Sequence, residues 1–184
     1  MLDLRPSITV EGPNSGHVHE EGNPHFNINP PRVALLARAL GQRLGEFFPE
    51  QAMQLRARGA AVARELNHHA AALADKVEPG QQFIIYHEDL DYLAEWLPVQ
   101  SVAYLEPIPG LPPTASHLRS LVSEFSGQQG RVLYANYQPS RGARFLEEHL
   151  GWPEVALPLE PPIGSGLEGY KNLMTQWASA FDWR

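Results

Sequence analysis

Between residues 33 and 47 the apolar positions fall at Val33, Leu36, Ala37, Leu40, Leu44 and Phe47, three or four apart, the spacing of one helix face. Asn29 is placed to cap this helix, Pro30 and Pro31 suit its first turn, and Pro49 marks its end. A second stripe, Leu55, Val62, Leu66, His69, Leu73 and Val77, predicts a helix over 49–76. At 1.5 Å per residue it would run roughly 40 Å, longer than a small lobe needs, and it reads as a connector between two lobes. Beyond Val77 the pattern changes. Phe83-Ile84-Ile85-Tyr86 follows the turn pair Pro79-Gly80 and reads as a strand buried on both faces, stopping at His87-Glu88-Asp89. Helices over 90–97, 114–126 (capped by Thr114), 139–150 and 167–181 then alternate with strands over 101–105, 131–135 and 154–157. Such alternation predicts an α/β fold, a four-stranded parallel sheet with helices on both faces, preceded by the long helix. Residues 1–30, rich in Pro, Gly and polar side chains, read as loop.

Composition narrows the function. The 184 residues are 43% hydrophobic, enough for one globular domain or somewhat more of a larger fold. A formal charge of -7 with only 14 Lys and Arg argues against a nucleic-acid partner, since neutralising phosphates takes clustered basic residues. The sign suits a cation. There are no cysteines, which removes thiolate metal sites and disulfides. The opening residues carry Asp3, Arg5 and Pro6 where a signal peptide would be apolar, so none is expected in this chain.

Two histidines stand where chemistry is done. His87 closes the central strand, and in open α/β sheets ligands gather at the carboxyl ends of strands. His25, held by Pro24 just ahead of the helix cap, is presented on a rigid turn. Neutral imidazole is a common ligand of Zn²⁺ and other divalent transition metals, and separate loops can combine such groups. His68 and His69 are adjacent on a helix and diverge, so packing or exposure is their expected role. The chain shows no Gly-rich phosphate loop, no Gly-x-Ser-x-Gly elbow and no cysteine nucleophile.

The segment Pro24-His25-Phe26-Asn27-Ile28-Asn29-Pro30 resembles the Asp-Pro-His-Val-Trp-Leu-Asp-Pro motif of the metal-binding substrate proteins of zinc and manganese ABC importers, the cluster A-I solute-binding group. His87-Glu88-Asp89-Leu90-Asp91-Tyr92 is similar to that family's His-Asp-Ala-x-Gly-Tyr. Residues 106–117 resemble its Pro-Gly-x-Glu-Pro-Ser loop, and Tyr170-Lys171-Asn172-Leu173-Met174 its Tyr-x-x-Leu-Met closing helix. The order of these motifs covers 17–184. The resemblance implies a non-enzymatic, periplasmic or extracytoplasmic protein that binds zinc, with Mn²⁺ as the alternative, and delivers it to an ABC permease. It implies His25 and His87 as ligands. His17 and His19, with Glu20 and Glu21, resemble a reduced form of the family's His- and acid-rich loop and are secondary candidates. By the same resemblance, 1–48 is a remnant of the amino-terminal lobe, 49–78 the linker helix and 79–184 the carboxyl-terminal lobe.

Two departures follow. The family's first ligand belongs to a lobe this chain largely lacks, and its fourth, an Asp, falls near Leu157-Pro158, where Glu160 or Glu106 would have to substitute. An open site, micromolar or weaker for zinc, is therefore expected. So is a homodimer that covers the apolar helix faces and sets His25 of one copy beside His87 of the other. The alternatives are a small doubly wound hydrolase-like enzyme using His87 with Glu88 or Asp89, and a metal-free interaction module.

Overall fold

The computed structural model describes residues 23–108 and 110–183. Strands β1 (Gln81–Ile85), β2 (Val99–Tyr104), β3 (Gly130–Ala135) and β4 (Glu154–Leu157) form one sheet in the order β2-β1-β3-β4, with every pairing parallel. The expected α/β architecture is thus present, and β1, whose last three residues Phe83, Ile84 and Ile85 are fully buried, lies inside the sheet between β2 and β3. Successive side chains of a strand point to opposite faces, so a strand covered on both sides must be apolar throughout. Phe83 and Ile85 join a core with Leu73, Leu93, Trp177 and Phe181, while Ile84 and Tyr86 join another with Leu121, Phe125, Leu146 and Trp152.

The first core is covered by α2 (Ala52–Ala74), α3 (Leu93–Trp96) and α6 (Gly166–Ala178), the second by α4 (Ala115–Phe125) and α5 (Arg141–Leu150). Thr114 caps α4 as expected, its hydroxyl accepting from the His117 N–H. The helix expected over 90–97 is broken. A 3₁₀ turn, Glu88–Leu90, precedes the four residues of α3, because its first residues must turn out of the strand end.

Helix α1 (Pro30–Phe47) leaves much of its apolar stripe exposed, as expected of faces that a partner would cover, and buries a face of small residues instead. Ala34, Gly41 and Gly45 are buried, whereas Leu36, Leu40 and Phe47 are 38%, 53% and 64% exposed. The reason is the close crossing with α2: a Cβ built at Gly59 would lie 2.5 Å from the Ala37 carbonyl oxygen, and one at Gly41 2.7 Å from that of Leu55. Helices this near have room only for small residues, and the large apolar side chains are displaced outward. On α2 the stripe expected to lie exposed until a partner covers it is instead largely buried within the chain, Leu66, Leu73 and Val77 among the core residues. His69 packs against α6, its Nε2 3.0 Å from the Lys171 carbonyl oxygen and 3.1 Å from Thr175 Oγ1, and His68 is exposed.

Candidate metal centre

His87 follows β1 in an extended conformation at the carboxyl edge of the sheet, immediately before the 3₁₀ turn. What brings His25 to it is a set of clasps on the loop 23–29. Tyr92 Oη donates to the Asn23 carbonyl (2.6 Å), Trp96 Nε1 to that of Ile28 (3.0 Å) and Tyr170 Oη to that of Asn27 (2.8 Å). Asn27 Nδ2 donates to the Leu159 carbonyl (3.1 Å). Asn29 caps α1 by accepting from the Arg32 N–H, and both residues bind the Glu95 carboxylate of α3, Arg32 in a two-pronged ion pair at 2.7 and 2.9 Å. The loop, which includes the 3₁₀ turn Phe26–Ile28, is fixed in this way from several sides, three of its backbone carbonyls each accepting from a tyrosine or tryptophan side chain.

The imidazoles of His25 and His87 meet edge to face, ring centres 5.6 Å apart. With Glu88 they form a group whose potential ligand atoms all lie within 4.8 Å of one another. Each ring has its Nδ1 engaged by an oxygen. Asn23 Oδ1 accepts the backbone N–H of His25, which fixes its amide orientation, and it lies 2.8 Å from His25 Nδ1. Glu106 Oε2 lies 2.9 Å from His87 Nδ1 and also accepts the Gly110 N–H at 3.1 Å. Both oxygens are acceptors, so both Nδ1 atoms donate and each lone pair sits on Nε2, the usual support for metal-binding histidines. Asn23 Nδ2 in turn donates to the Glu88 carbonyl at 2.8 Å, tying the two halves of the site together.

The sequence reading gives Glu88 only a proton-transfer role beside His87; its adjacency to His87 is the signal for a ligand role. Glu106 stands behind His87 at its Nδ1. Glu160 is exposed on the loop after β4 and is not in the three-residue group. His17 and His19 lie outside the described residues. Both central histidines come from one chain, so a dimer is not needed to bring them together.

Carboxylates crowd the surroundings. Burial pushes Asp89 up to about 6, against the charge of His87 and hydrogen bonds from Gln138 Nε2 (2.7 Å) and Tyr137 Oη (3.3 Å). Burial likewise pushes Asp91 up to about 7, against the hydrogen bond from Tyr104 Oη, with Glu88, Asp89 and Glu95 adding to the rise. The sign for stability follows. The unfolded chain loses the Asp91 proton near pH ~4 and the folded chain only near 7, so this contribution is whole below about pH 4 and is lost as pH rises to 7. Metal-free Asp91→Asn is therefore expected to exceed the native protein by roughly 1–3 kcal/mol at pH 8 and to lose that advantage at pH 4, as urea melts at the two pH values would show.

Compared with known proteins, residues 1–182 match the family described as zinc-uptake complex component A, periplasmic (ZnuA). The chain belongs to this family. No curated protein sequence matches it significantly. Among solved structures, a crystal structure of ZnuA is 20% identical with a TM-score of 0.69, the alignment covering 88% of this chain and 61% of that one. The SBP FpvC from Pseudomonas aeruginosa in complex with Mn²⁺ is 16% identical (TM-score 0.73; 91% and 66% covered). A Zn(II)-bound mutant variant of AdcAII from Streptococcus pneumoniae is 15% identical (TM-score 0.73; 99% and 70% covered). At these identities the likeness establishes the shared fold, and this member of the ZnuA family spans less than two thirds of the ZnuA and FpvC chains.

Proposed function

We propose that this chain binds a divalent transition-metal ion as transported substrate, zinc before manganese, for delivery to an ABC permease outside the cytoplasm. It acts as a binding protein without catalysis. His25, His87 and Glu88 are the ligands, and the fourth position is open to water or to a rim carboxylate such as Glu160. One observation carries the reading: two imidazoles from separate loops converge, each with Nδ1 held by an oxygen acceptor so that Nε2 is available to a metal. Nitrogen donors favour zinc, whereas Mn²⁺ suits oxygen-rich sites. The surrounding carboxylates, two of them raised by burial and by neighbouring carboxylates, gain from a dication. Membership of a family described as zinc-uptake and periplasmic supports the same role, and the FpvC and AdcAII structures contain Mn²⁺ and Zn(II). His17 and His19 are proposed as an accessory capture loop, and residues 49–78 as a connector to a second lobe.

Calorimetric titration of zinc into chelator-treated protein tests this. One saturable site per chain, micromolar or weaker because only three protein ligands are at hand, is expected. A flat isotherm would remove the proposal.

The outward apolar side chains of α1, Leu36, Leu40 and Phe47, are proposed as a homodimer contact, such patches on soluble proteins usually marking interfaces. Light scattering at low micromolar concentration should give twice the chain mass of 20.5 kDa. A concentration-independent 20.5 kDa would refute the dimer and leave metal binding unaffected.

A further inference from the structure

The outer half of the α1–α2 pair has no core of its own. Between Ala34 and Ala63 no apolar side chain belongs to the buried core, and the helices approach each other there through Gly41, Gly45 and Gly59. At the turn that joins them, Phe48 and Met53 are 53% and 86% exposed. On the outer side of α2, Met53, Ala57 and Ala61 follow one another at four-residue spacing, and all three are exposed. Arg56 and Arg58 stand roughly 100° to either side of Ala57, and Arg64 continues the strip one turn beyond Ala61. The result is an apolar strip edged by arginines.

The charge of this stretch runs against that of the chain. Residues 35–64 hold Arg38, Arg43, Arg56, Arg58 and Arg64 against Glu46 and Glu50, in a chain whose formal charge is -7. From 51 to 64 there is no acidic residue. Arg56, Arg58 and Arg64 are exposed and form no ion pair among the described residues, whereas Arg43 is paired with Glu46. The next acid along α2, Glu65, is turned to Lys171 of α6. Glu50, exposed at the turn, opposes an anion there but is outnumbered. Three cations without a counter-charge beside an uncovered apolar strip fit a partner that is anionic and apolar at once. A bilayer surface with anionic headgroups is such a partner, whereas nucleic acid supplies the charge without the apolar layer.

We propose that the α1–α2 turn and the outer side of α2 dock on the surface of a bilayer containing anionic phospholipid, with Phe48 and Met53 entering the headgroup layer and Arg56, Arg58 and Arg64 pairing with lipid phosphates. No helix among the described residues is long and apolar enough to cross a membrane, so the contact is with the surface alone. Arginine stems lie along an apolar layer while their guanidinium heads reach phosphate oxygens in two-pronged geometry. The dimer contact proposed above, Leu36, Leu40 and Phe47, belongs to the other helix and uses none of these residues. The docking does not rest on the metal site.

The test is co-sedimentation of the full chain with phosphatidylcholine vesicles carrying about 30 mol% phosphatidylglycerol. Saturable retention is expected on these vesicles, little on phosphatidylcholine alone, and release at about 0.5 M salt. Retention should weaken about tenfold or more in Arg56→Gln/Arg58→Gln and severalfold in Met53→Ser. All three positions are exposed, so the urea midpoints of both variants should match that of the native protein, which separates a lost contact from a lost fold. No retention, equal retention on phosphatidylcholine alone, or retention unchanged in both variants would overturn the proposal. So would a chain that ignores vesicles and instead self-associates in a way that Met53→Ser abolishes, since the face would then be a contact between copies. Zinc titration of Arg56→Gln/Arg58→Gln should match the native protein, which keeps this test separate from that of the metal site.

Discussion

Replacing His87 by alanine is expected to weaken zinc binding by more than about a hundredfold. Removing a group that supports a metal-bound histidine typically costs 10- to 100-fold, and His87 is proposed as a ligand itself. The supporting loss can be read separately. Glu106→Gln keeps an oxygen that can accept from His87 Nδ1 and from the Gly110 N–H, but it removes the negative charge behind the ring, so roughly tenfold weakening is expected. His25→Ala should resemble His87→Ala. The informative result is the ordering in calorimetric titrations: both histidine variants far below Glu106→Gln, and Glu106→Gln below native. Equal affinities in all of them would mean that zinc binds elsewhere.

The largest effect on stability is expected at Trp177. This residue of α6 is fully buried against Leu73, Phe83 and Phe181, and its Nε1 donates to the Pro158 carbonyl at 3.0 Å. Truncation removes the apolar contacts, leaves a cavity the sheet cannot close, and strands a buried carbonyl. Trp177→Ala should cost about 3–5 kcal/mol in urea unfolding at 25 °C. Against a typical total of about 5–15 kcal/mol, that is enough to depopulate the native state on modest warming. Because Pro158 begins the loop that carries Leu159, whose carbonyl holds Asn27, zinc binding should weaken in the same variant even where it remains folded. A loss below about 1 kcal/mol would show that the packing around α6 is looser than its burial indicates.

Much of this could be read from the chain because the signals were local. The apolar run of β1 and its end at His87, the cap at Asn29 and the cap at Thr114 each depend on residues within a few positions, and the structure has all of them. What could not be read depends on distance along the chain. The face that α1 buries is decided by Gly59 and Leu55 of another helix, so a stripe of leucines that satisfied helical spacing turned out to face away from the contact. The candidate site has the same character. His25 and His87 could be named from their motifs and strand end, and Asn23 lies only two residues from the ring it holds, but Glu106, which holds His87, comes from beyond another strand. Nothing at the level of spacing distinguishes Glu106, behind His87, from Glu88, beside both rings. Only the parallel pairing of β2 with β1, which sets Glu106 alongside Tyr86, separates the two roles.

The central claim, a metal held between His25 and His87, is tested most directly by anomalous diffraction at the zinc edge from crystals grown with zinc. The account predicts one strong peak per chain, about 2.0–2.1 Å from Nε2 of both histidines and about 2.0–2.2 Å from a Glu88 carboxylate oxygen, with both Nδ1 contacts retained. A peak bound through Nδ1, one on only a single histidine, or none at this edge of the sheet in crystals that carry zinc elsewhere would contradict it.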